Sequence, residues 1–222
     1  MSDAATNIER EKQLAAHAAA ELVQDGMWVG LGSGSTSMQL LAPLAERKLN
    51  IRCVATSPTT ASEAVRLGLD VVEFSGPVAP RRLDIAIDGA DEVDPSGWLV
   101  KGGGGAHTRE KAVAVSADRF VVIVSSDKLV DRLTPPIPLE LLQYGLASTL
   151  ARLDPVTVRH TPFSPDGGVI ADYVGEFDDA AALAARLSSE PGVIEHGLFP
   201  ASMVAEVLVG CGDAVERIAV SA

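Results

Sequence analysis

The stretch Trp28-Val-Gly-Leu-Gly-Ser-Gly-Ser-Thr36 decides the fold. Trp28–Leu31 is a short apolar run without polar alternation, which predicts a strand covered on both faces. Gly32–Ser35 predicts a turn. Thr36–Lys48 follows with helical period, a capping-box spacing at Thr36 and Gln39, and Pro43 as a kink or an early stop. Strand, glycine turn and helix together open a parallel α/β unit.

The same grammar extends outward on both sides. Residues 6–25 predict a helix, with Thr6 and Glu9 at capping-box spacing and Gly26 as its stop. Downstream, Arg52–Thr56 predicts a strand, and Ser57-Pro58 caps a helix that runs to about Gly68. Val71–Phe74 and Leu83–Ile87 read as strands, Thr108–Ala117 as a helix and Phe120–Val124 as a buried strand. Apolar strands alternating with helices imply a mostly parallel sheet covered on both faces. Ligands of such sheets bind beyond the carboxyl ends of the strands. The glycine turn, Thr56-Ser57 and Asp88 all fall at such ends.

The character changes after Thr134. Pro135, Pro136 and Pro138 predict a hinge, followed by a helix near Leu139–Leu153 and a strand near Val156–Arg159. Asp166-Gly167-Gly168 predicts a hairpin turn into a strand at Val169–Tyr173. Asp178 caps a helix reaching Leu187, and Pro191-Gly192 leads into another strand. This is the pattern of a small α+β domain. Apolar segments at Val204–Val209 and Ile218–Val220 predict strands that return to the first domain. The expected division is 1–133 with about 200–222, and about 134–199.

Composition narrows the function. The chain has 222 residues and a net charge of −12, with no basic run of the kind nucleic acid requires. No apolar run approaches the roughly 20 residues of a membrane-spanning helix. The N-terminus is polar and then charged, unlike a signal peptide. Cys53 and Cys211 lack metal-ligand spacing and read as reduced core residues, which fits the cytosol.

Three motifs carry candidate chemistry. In Gly30–Thr36 the glycines let backbone N–H groups approach an anion, and a helix N-terminus adds its dipole. No Lys precedes Ser35-Thr36, so it is not a Walker loop, and Ser37 stands where a dinucleotide fingerprint needs its third glycine. The plainer reading is a tight turn. Asp88-Gly-Ala-Asp91-Glu92-Val-Asp94 puts Asp88 at a strand tip with Asp91 on the same side of a turn, where the pair can hold sugar hydroxyls or exchange protons. An acidic solvated loop and a magnesium site are its other readings. Lys101-Gly-Gly-Gly-Gly-Ala-His-Thr-Arg-Glu110-Lys111 has four consecutive glycines, which make sense where backbone wraps around something. Glu110 falls in the first turn of the next helix and suits a general base, or merely complements the helix dipole. His107 reads as a cap or a surface residue. Lys128, after a buried strand, can reach a phosphate as a point charge.

Taken in order, GLGSGST, DGADEVD, KGGGGAHTREK and SSDK closely resemble the ribose-5-phosphate isomerase A family, over nearly the whole chain. The departures are Ser33, where Thr is frequent, and Gly105 and His107 in a loop that commonly reads GGGAAL. The resemblance implies a Rossmann-like, mostly parallel domain with a smaller ferredoxin-like α+β domain. It implies a cytoplasmic homodimer or homotetramer with no cofactor and no metal, acting in the non-oxidative pentose phosphate pathway. Glu110 would be the base that converts ribose 5-phosphate to ribulose 5-phosphate through an enediolate. Asp88 and Asp91 would hold hydroxyls and assist ring opening, and Lys101 would stabilise the oxyanion. Substrate would meet Ser33, Gly34, Ser35 and Thr36, then Asp88, Gly89, Ala90 and Asp91, then Lys101, Gly102, Gly103 and Gly104, and finally Lys128. The competing expectation is a sugar-phosphate sensor of related fold, which would not need Glu110.

Overall fold

A computed structural model describes residues 3–220. In chain order its elements are α1 (Asp3–Ala20), β1 (Trp28–Leu31), α2 (Gly34–Glu46), β2 (Arg52–Ala55), α3 (Pro58–Arg66), β3 (Asp70–Val71) and β4 (Ile85–Asp88). Then come β5 (Glu92–Val93), β6 (Leu99–Val100), α4 (His107–Val115), β7 (Phe120–Ser125), β8 (Ile137–Leu141), α5 (Leu146–Leu153) and β9 (Val156–Val158). The chain finishes with β10 (Val169–Tyr173), α6 (Ala180–Ser188), β11 (Val193–His196), β12 (Leu198–Phe199), β13 (Glu206–Cys211) and β14 (Ala214–Ala219). Two compact units emerge, Met1–Ala90 with Arg109–Leu129 and Ala201–Ala222, and Asp91–Thr108 with Val130–Pro200.

The first unit is a seven-stranded sheet in the order β14-β13-β7-β4-β1-β2-β3, parallel except for the β14 edge. That is the doubly wound order of a Rossmann-like fold. Strands β4 and β7 are buried along their whole length. The core joins their side chains to Ala15, Ala16 and Ala19 of α1 and Leu40, Leu41 and Leu44 of α2.

The second unit holds a four-stranded antiparallel sheet, β11-β8-β10-β9, with α5 after β8 and α6 after β10. This β-α-β-β-α-β path is ferredoxin-like. Its own core gathers Ile137, Leu139, Leu141, Leu153, Tyr173 and Leu187. A separate ribbon, β12-β6-β5, ties residues 91–108 into this unit rather than the first one, because β6 pairs with β12.

Several elements differ from expectation. The first helix includes Thr6 in its interior and ends at Ala20, where the Arg47 guanidinium donates to the carbonyls of Ala20 and Val23. The second helix starts at Gly34 with Ser33 as N-cap, so Thr36 is not the cap, and Pro43 lies buried inside it. The expected helix from Leu139 is the buried strand β8, and only Leu146–Leu153 is helical. Pro136 and Pro138 disfavour α-helical backbone for the residues before them, which starts the segment extended. The cap of the sixth helix is Asp179, not Asp178. Ser57 caps α3 as expected, accepting the Thr60 N–H. Cys53 is buried, and burial together with Asp70 pushes its thiol up to about 12, whereas Cys211 is exposed rather than in the core.

One buried carboxylate clamps the first unit. Glu11 Oε2 accepts from the Ser126 N–H and hydroxyl at 2.9 and 2.7 Å, and Oε1 accepts from the Gly212 N–H at 2.9 Å. Burial alone would raise this carboxyl, but the bonds from Gly212 and Ser126 outweigh it and hold the group below its ordinary value. A lowered folded-state pKa contributes stability above the unfolded value, which disappears as pH falls through the folded one. Glu11→Gln points an amide N–H at buried donors, so we expect a loss of about 1–3 kcal/mol at pH 7. The deficit should shrink between about pH 5 and 3, as the parent loses its advantage. Melting curves across that range check this, and an equal deficit at every pH would sink it.

Candidate active site

Strand order in the first unit reverses between β1 and β4, so the loop after β1 and the end of β4 meet at the switch point where doubly wound folds bind ligands. Asp88 is the last residue of β4 and only 3% exposed. Its Oδ1 accepts from the Ser33 N–H at 3.0 Å, the Ser37 hydroxyl at 2.8 Å and the Gly89 N–H at 2.8 Å. This approach requires Gly32, since a Cβ there would overlap the Asp88 carboxylate.

Glu110 enters from the other side. It lies in the first turn of α4, and Val113 lies one turn on, on the same helical face. Val113 Cγ1 sits where a Cβ on Gly30 would be, so glycine at 30 lets α4 settle onto β1. That seating brings Glu110 Oε1 to 2.5 Å from the Ser33 hydroxyl. Glu110 is 6% exposed. Ser33 therefore joins the two carboxylates, giving its N–H to Asp88 and its O–H to Glu110. Its hydroxyl makes no cap bond to α2.

The rest of the first glycine loop faces an uncancelled helix start. No acidic residue occupies the first turn of α2, so Gly34, Ser35 and Thr36 present N–H groups and hydroxyls with positive helix dipole. Lys12 of α1, which sequence reasoning passed over, donates to Ser35 Oγ at 3.2 Å. Lys128 ends a short turn after β7, with its ammonium 3.8 Å from Asp127.

The second unit carries the other glycine stretch. Lys101 is 3% exposed, with its ammonium 5.5 Å from the Phe199 ring centre. Gly102 has φ +102 and packs on His107, which is fully buried and not the surface residue expected. The Gly103 N–H donates to Asp91 Oδ2 at 2.7 Å. Arg159, also missed in the sequence, donates to the Gly102 and Gly103 carbonyls. The remaining acids of the motif are structural: Glu92 accepts from Thr134, and Asp94 closes the β5–β6 turn on Ser96 and Trp98. Thr108 donates to Glu140, a buried β8 carboxylate that the sequence did not single out. Among the described residues, no group of three or more His, Cys, Asp or Glu is gathered to hold a metal ion.

Comparison with known proteins shows the family to which the chain is similar. The family model described as ribose 5-phosphate isomerase A (phosphoriboisomerase A) matches residues 52–214, and a DeoR C terminal sensor domain model matches residues 7–94. The chain is 39% identical to ribose-5-phosphate isomerase A of Roseobacter denitrificans, covering 96% of this chain and 88% of the relative. It is 40% identical to that of Gluconobacter oxydans, covering 96% and 97%. Among solved structures, ribose 5-phosphate isomerase A from Methanocaldococcus jannaschii superposes with a TM-score of 0.86 at 33% identity, over 94% of this chain and 97% of that one. The Neisseria gonorrhoeae structure gives 0.90 at 28% identity, over 97% and 98%.

Proposed function

Because the chain belongs to the ribose 5-phosphate isomerase A family, we propose that Glu110 is the base of its reaction and that Ser33 and Asp88 hold it ready. The chain is an aldose–ketose isomerase that interconverts D-ribose 5-phosphate and D-ribulose 5-phosphate. The observation that carries the assignment of the base is the buried Glu110 carboxylate, fixed by Ser33 at the switch point of the sheet.

The proposed steps balance as follows. In the opened aldose, Glu110 removes the C2 proton, and the C–H electrons become the C1–C2 double bond of an enediolate with charge on O1. The hydroxyl proton passes from O2 to O1. Glu110 then returns its proton to C1, leaving a carbonyl at C2. Lys101 and the N–H groups of Gly102, Gly103 and Gly104 stabilise the oxyanion. Asp88 and Asp91 hold hydroxyls and assist ring opening, with Gly89 and Ala90 lining the turn between them. The phosphate takes Gly34, Ser35 and Thr36 of the first glycine loop, helped by Lys12 and Lys128, while Ser33 stays with the two carboxylates; the uncancelled α2 N-terminus and the Lys12–Ser35 bond support that placement. The cytoplasmic setting, the place in the pentose phosphate pathway and a homodimeric or homotetrameric assembly rest on the family resemblance.

The sensor model ends at residue 94, before Lys101 and Glu110, which a sensor would not need. The test is ribose 5-phosphate with the purified protein and EDTA in heavy water. We expect ribulose 5-phosphate carrying solvent deuterium at C1, the mark of a proton exchanged on a carboxylate. Ketose without deuterium across a range of temperatures would overturn the base mechanism. Binding without ketose would favour the sensor.

A further inference from the structure

The glycine stretch at 102–104 is held on its carbonyl side by a cation from the ferredoxin-like fold. Arg159 Nη1 donates to the Gly102 carbonyl at 3.1 Å and the Gly103 carbonyl at 2.9 Å. Its Nε and Nη2 grip Asp172 in a bidentate pair at 2.7 and 2.6 Å. Arg159 directly follows β9 and Asp172 lies in β10, so the pair is set by strand register, Asp172 lying opposite Thr157. The Arg159 and Asp172 side chains are 19% and 16% exposed.

A peptide plane is rigid, so a carbonyl fixed on one side fixes the N–H on the other. The 102–103 peptide is caught at both ends, its carbonyl by Arg159 and its N–H by Asp91. The 103–104 peptide is caught only at its carbonyl. Its Gly104 N–H has no hydrogen-bond partner among the described residues, and a Cβ on Gly104 would meet nothing within 4 Å. Four glycines in succession would otherwise sample many backbone states. A lysine would not reproduce this grip, because its point charge lacks the planar fork that holds Asp172 bidentately while a third N–H meets the carbonyls.

We propose that Arg159, braced by Asp172, is a positioning residue that presets the Gly102–Gly104 peptides and aims the Gly104 N–H at the substrate oxyanion. This rests on the reading of Lys101–Gly104 as the oxyanion cradle. A preset donor acts on charge that develops in the transition state, so its loss falls on kcat rather than KM.

The experiment compares kcat, KM and melting temperature for Arg159→Met, Arg159→Lys, Asp172→Asn and Lys101→Met. Arg159→Met should lower kcat about 10- to 100-fold with KM within about threefold, since small misplacements of catalytic groups cost that much. Arg159→Lys should recover only part of the loss, and Asp172→Asn should lower kcat in the same way. Parental kcat in Arg159→Met, assayed well below its melting temperature, overturns the proposal. If that variant does not fold, parental kcat in Asp172→Asn does so. Near-parental turnover in Lys101→Met overturns the cradle reading and this inference with it. An inactive Lys101→Met beside a fully active Arg159→Met overturns the positioning role alone.

Discussion

Glu110→Gln is expected to lower kcat by about a thousandfold or more, toward the upper part of the range that a single general base supplies. The substitution is nearly isosteric. A glutamine carbonyl oxygen can still accept the Ser33 hydroxyl that lies 2.5 Å from Glu110 Oε1, so the seat of the side chain survives. Its packing survives too, because Val113 against Gly30 continues to anchor α4 on β1. What disappears is the lone pair that takes the C2 proton. Melting temperature should stay within about 3 °C of the parent, as for a substitution that leaves core packing intact. Binding of substrate should change by only a few fold. Turnover within tenfold of the parent would remove Glu110 from the role of base. A large fall in melting temperature would show that its carboxylate is structural instead.

Gly32→Ala is expected to harm both stability and turnover, although it adds a single methyl group. The new Cβ would overlap the Asp88 carboxylate and its Cβ. Neither side can retreat. Gly32 donates its N–H to the Ile87 carbonyl at 2.9 Å, and its own carbonyl accepts the Thr60 hydroxyl at 3.0 Å. Asp88 is held by Ser33, Ser37 and its own strand pairing. Relief therefore breaks some of the bonds at Asp88, at about 2–4 kcal/mol for the overpacking and the stranded donors. For a chain of this size that is roughly a 5–12 °C fall in melting temperature. Because Ser33 also holds Glu110, kcat should fall by at least about tenfold, the cost of a displaced catalytic group. Gly26→Ala is the control: φ there is +85, but a Cβ meets nothing within 4 Å. It should cost only about 1–2 kcal/mol of backbone strain and leave kcat alone. If the two variants behave alike, close approach at Gly32 is not what organises the site.

Much of this architecture is carried by features that act over a few residues. The apolar tetrad Trp28–Leu31, the Ser57-Pro58 cap, and the exact extent of Val169–Tyr173 follow from strand and cap chemistry that neighbours in sequence supply. So does the position of Asp88 at a strand end and of Glu110 in a first helical turn. Where local signals conflicted, tertiary packing prevailed. Ile137–Leu141 has enough leucine to suggest a helix, yet it is the strand between β11 and β10, buried at every residue.

The chain's own order of motifs thus determined the doubly wound sheet, the candidate base and the two glycine loops. Only the folded molecule decided what each polar group does. Ser33 to Glu110 spans 77 positions, Arg159 to Gly102 spans 57, and Glu11 to Gly212 spans 201. No periodicity or cap spacing encodes such pairs, because they arise when strands and helices that are distant in sequence pack side by side. Short-range propensity sets which residues stand at the strand tips, and long-range packing sets which of them share a hydrogen bond.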